Sequence, residues 1–106
     1  AFLADLWTTM QAMPEYRGNT TFVITTDHGR GSGPDAWRDH GQDVNGAEHI
    51  WMAILGPDTP ALGERSGGEI VTQAQVAATI AALLGEDWNA RNPKAGSPVR
   101  EAITRR

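Results

Sequence analysis

The chain has 106 residues, enough for one domain with a modest core and too few for two. Nine Lys and Arg against thirteen Asp and Glu leave a formal net charge of −4, which argues against a surface built to neutralise nucleic-acid phosphates. The absence of cysteine excludes disulfide staples and thiol catalysis, and no apolar run reaches the ~18 residues of a membrane span, so a soluble single unit without nucleic-acid or membrane partners is expected.

The amino terminus lacks the basic start and apolar stretch of a signal peptide. Ala1 stands inside a helical pattern already under way, so the chain is expected to be a piece of something longer. Leu3, Leu6, Met10 and Met13 recur at three- and four-residue spacings, with Phe2 and Trp7 alongside, and predict an amphipathic helix packed into a core and ended by Pro14. Thr21–Thr26 is β-branched and apolar without polar alternation, which predicts a strand covered on both faces in a parallel sheet. From Gly29 to Gly46 the sequence turns to Gly, Pro, Ser, Asp and Arg, predicting a long functional loop without regular elements. Ile50–Leu55 is a second apolar run, stopped by Gly56-Pro57, and reads as the second buried strand.

Thr72 and Gln75 have the spacing of a capping box for a helix reaching Leu84, with Gly85 as its stop. Val76, Ile80, Leu83 and Leu84 form its predicted apolar stripe, and the alanines at 77, 78, 81 and 82 allow close approach to a sheet. The polar tail from Asn89 holds one short helical turn near Val99–Ile103. Together these elements predict a single α/β domain over 1–106, with a partial open parallel sheet flanked by helices.

The chemistry-bearing signal is Asp27-His28-Gly29 at the end of the first strand, repeated twelve residues later as Asp39-His40-Gly41. Carboxylate and imidazole side by side make a ligand pair for a divalent ion such as zinc or manganese, and ligands collect at the carboxyl ends of strands in open α/β sheets. Gly29 lets the backbone leave the strand, so that Asp27 and His28 can reach one ion while His40 comes back across the site. Three ligands do not hold two ions, so a two-metal hydrolase would need more donors than these. Arg30 and Arg38 can engage an anionic substrate through their forked donors. Asp35, Asp39 and Asp43 are the remaining acidic candidates, but for these three and for Arg30 and Arg38 the solvated-loop reading is the better one, with Asp39 also able to orient His40. His49, beside Glu48, reads as a strand-edge or core histidine.

Thr25-Thr26-Asp27-His28-Gly29, His40-Gly41, Trp51-Met52-Ala53-Ile54-Leu55-Gly56-Pro57 and Val71-Thr72-Gln73 leading into Ala77–Gly85 resemble, in order and spacing, the C-terminal part of the alkaline phosphatase superfamily. Sulfatases, nucleotide pyrophosphatases/phosphodiesterases and cofactor-independent phosphoglycerate mutases belong to it. The resemblance implies that Asp27 and His28 bind the metal next to the nucleophile and that His40 binds a second metal, zinc most often and manganese or calcium in some branches. It implies a hydrolase of phosphate or sulfate esters with a covalent phospho- or sulfo-enzyme intermediate. The nucleophile and the other acidic ligands belong to the N-terminal portion of a complete member, which nothing in this chain resembles. The expected chain is therefore half a site, inactive alone, needing its missing N-terminal half or an assembly of copies. The competing expectations are a non-catalytic interaction module that keeps only the fold and oligomerises through uncovered apolar surface, and a metal-free α/β domain with coincidental histidines.

Overall fold

The computed structural model describes residues 1–104. It divides into two compact units, one made of Ala1–Thr21 with the segment from Leu55 onward, the other of Phe22–Ile54.

In the first unit, α1 spans Phe2–Ala12 and ends in an extended Met13, because the residue before a proline is pushed out of the helical region. Leu6 and Met10 of the predicted stripe are half-buried, but no residue of α1 is buried and Phe2 is 77% exposed. The expected core packing of this face is not found among the described residues.

The capping box forms as the sequence predicts: the Thr72 N–H donates to Gln75 Oε1 at 2.9 Å while the Thr72 side chain accepts from the Gln75 backbone. A 3-10 turn at Gln73–Gln75 leads into α3, Val76–Leu83. Gly85, at φ +83°, closes α3 with a Schellman pair, its own N–H donating to Ala82 O and the Glu86 N–H to Ala81 O. The buried face of α3 differs from the predicted stripe. Ile80 and Leu84 are exposed, and the fully covered residues are Ala78 and Thr79.

The tail explains this choice of face. Val99 N–H donates to Thr79 Oγ1 at 3.0 Å, and that hydroxyl donates to Gln75 O at 2.7 Å. Gln75 Nε2 donates to Ser97 O, and the Gly96 N–H donates to Ala74 O. Small side chains at 78 and 79 let a peptide backbone approach, which Ile or Leu would hold off. The tail also carries α4, Trp88–Arg91, capped by the Asp87 carboxylate, and a 3-10 turn at Arg100–Ala102 inside the predicted segment.

The second unit corrects the predicted parallel sheet. Strands β1, Phe22–Thr25, and β2, Met52–Leu55, form a two-stranded sheet. Their register is antiparallel: Thr25 Oγ1 donates to Trp51 O at 2.8 Å at one end, while Thr21 lies against Gly56 at the other. A parallel partner needs a crossover that carries the chain back to its starting edge, usually on a helix. Here the segment between the strands folds onto itself, with the Gly29 N–H donating to Ala47 O at 2.7 Å and the Gly31 N–H to Asp39 O at 2.9 Å. The helical turn α2, Gly33–Ala36, is the regular element within that loop, and four residues are too short for a crossover. Most residues of both strands are half-buried, so their unbroken apolar runs do not report cover on both faces.

Thr79→Val deletes a fully covered hydroxyl and leaves the Val99 N–H without its acceptor. A loss of about 1–3 kcal/mol in denaturant titration is expected, together with faster exchange of the Val99 amide; unchanged stability would show that the tail is not held by this bond.

Candidate functional site

The site is made by the way the chain leaves β1. After Thr26 the backbone swings out through Asp27 and His28 and then runs against the returning limb of the loop. A Cβ at Gly29 would collide with the carbonyls of Gly46 and His49, so this crossing requires glycine. Gly46, opposite it, has φ +99°, and its hydrogen would be replaced by a Cβ only 2.7 Å from Arg30 O. Between the two limbs lies an open cleft of about 900 Å³, lined by Thr26, His28, Arg30, Ser32, Trp37, Arg38, His40, Asn45, His49 and Trp51.

The two predicted histidines meet there. The rings of His28 and His40 stack with centroids 4.2 Å apart and planes within 8° of parallel. Rings stacked in this way direct their in-plane lone pairs along parallel planes, which suits two neighbouring ions better than one shared ion. His28 Nδ1 lies 2.7 Å from Gly29 O. A carbonyl oxygen only accepts, so Nδ1 carries the proton and Nε2 of the neutral ring keeps its lone pair. Asp27 Oδ1 accepts the His28 backbone N–H at 2.9 Å, and Asp27 Oδ2 faces His28 Nε2 at 3.6 Å.

This pair fits one cation. Zinc bonds of about 2.0–2.2 Å at a tetrahedral angle separate two donors by about 3.4 Å, close to the spacing of Oδ2 and Nε2. The Nδ1–H to backbone carbonyl bond is the usual way a metal-binding imidazole is oriented. A proton on Nε2 satisfies the same pair as an ordinary ion pair. Among the described residues no group of three or more His, Cys, Asp or Glu side chains is arranged to hold a metal.

Arg30 and Arg38 also line the cleft, and both guanidiniums sit against Trp37, with Cζ 5.9 Å and 4.7 Å from its ring centroid. Asp35, Asp39 and Asp43 are exposed, as the sequence suggested. Asp39 contributes through its backbone, accepting from Gly31 and donating to Ala36. His49 is an exposed cleft residue in contact with Glu48, shortly before β2 begins, so it is not a core histidine. The sequence does not single out Trp37 and Asn45, and it offers Trp51 only as part of the second strand and of the resemblance. Trp37 did leave a signal: a large aromatic beside an arginine in a Gly- and Pro-rich loop has no core to enter.

Comparison with family models, curated proteins and solved structures gives no match for the chain.

The returning limb is pinned by Glu48. Hydrogen bonds to its carboxylate from its own backbone amide and from Gly46, with His49 alongside, hold its carboxyl below the ordinary value of 4.5. A depressed folded-state pKa stabilises the turn above 4.5, and that contribution is lost as pH falls through the lower folded value. A carboxyl-carbon NMR titration should give Glu48 a midpoint below 4.5, shifting up towards it in a denatured sample; a midpoint at or above 4.5 in the folded chain would contradict the pinning.

Proposed function

We propose that this chain is the C-terminal metal-binding segment of an alkaline-phosphatase-like hydrolase of phosphate or sulfate esters. Asp27 and His28 hold one divalent ion, and His40 serves its neighbour. The observation that carries the reading is the arrangement around His28: Nδ1 lies 2.7 Å from Gly29 O, and Nε2 faces the Asp27 carboxylate at 3.6 Å. The parallel stack of His40 on His28 supports two ions about 4 Å apart. Zinc is the favoured ion, with manganese and calcium as the family's other choices.

When bound, the metal pair polarises the ester and stabilises charge on the attacking and leaving oxygens. The residues of this chain orient donors and gather the anion. Gly29 O fixes the His28 tautomer, the His28 N–H aligns the Asp27 carboxylate, and Arg30 and Arg38 present guanidiniums to the substrate's oxygens. Thr26 and Ser32 line the cleft, and among the described residues neither hydroxyl is hydrogen-bonded to a histidine. By the resemblance, the nucleophile and the remaining acidic ligands would come from an N-terminal portion or from a second chain.

A second reading, a non-catalytic module that assembles through apolar surface, is favoured by one observation. Phe2, Ile70 and Leu84 are each more than three-quarters exposed, and Trp7, Trp51 and Trp88 are exposed as well.

Zinc titration of the chelator-stripped chain by calorimetry separates the two. Saturable binding is expected, weakened in His28→Ala by at least about tenfold, the lower bound set by losses seen when even an outer-shell partner is removed. Binding of equal strength in His28→Ala would sink the assignment of the donors, and no binding by the unaltered chain would leave the assembly module as the better reading.

A further inference from the structure

Arg30, Trp37 and Arg38 form a group that the metal donors do not explain. Two guanidiniums are held against one indole, in a cleft that also holds two stacked imidazoles. Like charges gathered in this way repel, and each cation–π contact at an exposed ring returns only about 0.5–1 kcal/mol. The neighbouring loop offers carboxylates that would remove the repulsion. Yet among the described residues neither guanidinium forms an ion pair, and Asp35, Asp39 and Asp43 do not reach them. Both arginines are exposed, and held on one indole without a carboxylate partner they leave their forked donors open to an anion from solvent.

We propose that Arg30, Trp37 and Arg38 form an anion subsite separate from the metal donors, with Trp37 as the positioning residue that holds both guanidiniums. It takes a second negatively charged group of the substrate, so that the substrate class is a phosphate or sulfate ester carrying at least one further anionic group besides the one transferred. The inference rests on the hydrolase reading for the word substrate, and not for the existence of the subsite. The reasoning is one of charge. Metal held at Asp27, His28 and His40 would supply positive charge for the reacting group, and the two guanidiniums would then be open to a second anionic group. Planar guanidinium forks suit phosphate, sulfate or carboxylate oxygens through paired N–H bonds, and the rigid indole limits the side-chain entropy lost when they engage. The absence of Trp37 would free both arginines to spread into solvent and to find the loop carboxylates.

The test uses the full chain, stripped of metal, and pyrophosphate as the probe, followed through the indole N–H signals of the four tryptophans. The expected result is a saturable shift of the Trp37 signal, with Trp7 and Trp88 unmoved and with affinity falling as salt rises. Arg38→Gln, read from the Trp37 signal, and Trp37→Leu, read by calorimetry because its reporter is gone, should each weaken pyrophosphate binding at least about tenfold, equal to about 1.4 kcal/mol, while Trp37→Phe, also followed by calorimetry, keeps an aromatic face and retains most of it. If Trp37→Leu loses its dispersed amide spectrum, Arg38→Gln and Trp37→Phe decide the matter. A Trp37 signal that does not respond, or equal affinity in the unaltered chain and Arg38→Gln, overturns the subsite. Because the titration contains no metal, it is scored separately from zinc binding: zinc bound with a silent Trp37 removes the subsite alone, and a responsive Trp37 without zinc binding removes the metal reading alone.

Discussion

The passage of the Gly29 backbone against the carbonyls of Gly46 and His49 is the constraint on which the site depends. No side chain fits at that crossing, and the Gly29 N–H to Ala47 O bond locks the two limbs together. His28 and Arg30 flank the crossing in sequence, so their side chains are set by the same backbone that the crossing fixes. Its carbonyl also takes the His28 ring proton. One residue without a Cβ thus sets both the path of the loop and the tautomer of the histidine.

Local signals in the sequence translated well where they were backbone chemistry. The Thr72–Gln75 capping box and the Gly85 stop appear as predicted, because both depend on residues within one or two turns of each other. The doubled Asp-His-Gly triplet did foreshadow one place in the fold, since His28 and His40 stack in one cleft. What failed was longer in range. An apolar run of six residues looks the same in a parallel and an antiparallel sheet, and the direction of β2 was decided by a loop that pairs with itself, Gly29 with Ala47 and Gly31 with Asp39. On α3 the hydrophobic stripe pointed to Ile80 and Leu84, whereas the covered face is Ala78 and Thr79, because the partner is a backbone segment and not a sheet.

Trp37 shows a different limit. Helical or strand periodicity assigns aromatics to cores, and an aromatic in an irregular loop falls outside both templates. Its role emerges only when Arg30 and Arg38, eight residues apart, are seen on the same ring. His49 was hidden for the same reason, since the start of a strand and the lip of a cleft are indistinguishable until the loop has folded back. The Asp27–His28 pair, the stacked imidazoles and the two guanidiniums then occupy one unit of the chain, Phe22–Ile54.

The tautomer of His28 tests this picture most directly. A long-range proton–nitrogen correlation spectrum of the metal-free chain, taken at mildly alkaline pH where imidazoles are neutral, reads which ring nitrogen carries the hydrogen. The 2.7 Å contact of Nδ1 with Gly29 O calls for Nδ1–H, which in the neutral ring leaves Nε2 without hydrogen on the side of Asp27. A dominant Nε2–H form would mean that the backbone carbonyl does not orient the ring, and the case for Asp27 and His28 as a ready pair of metal donors would fall with it.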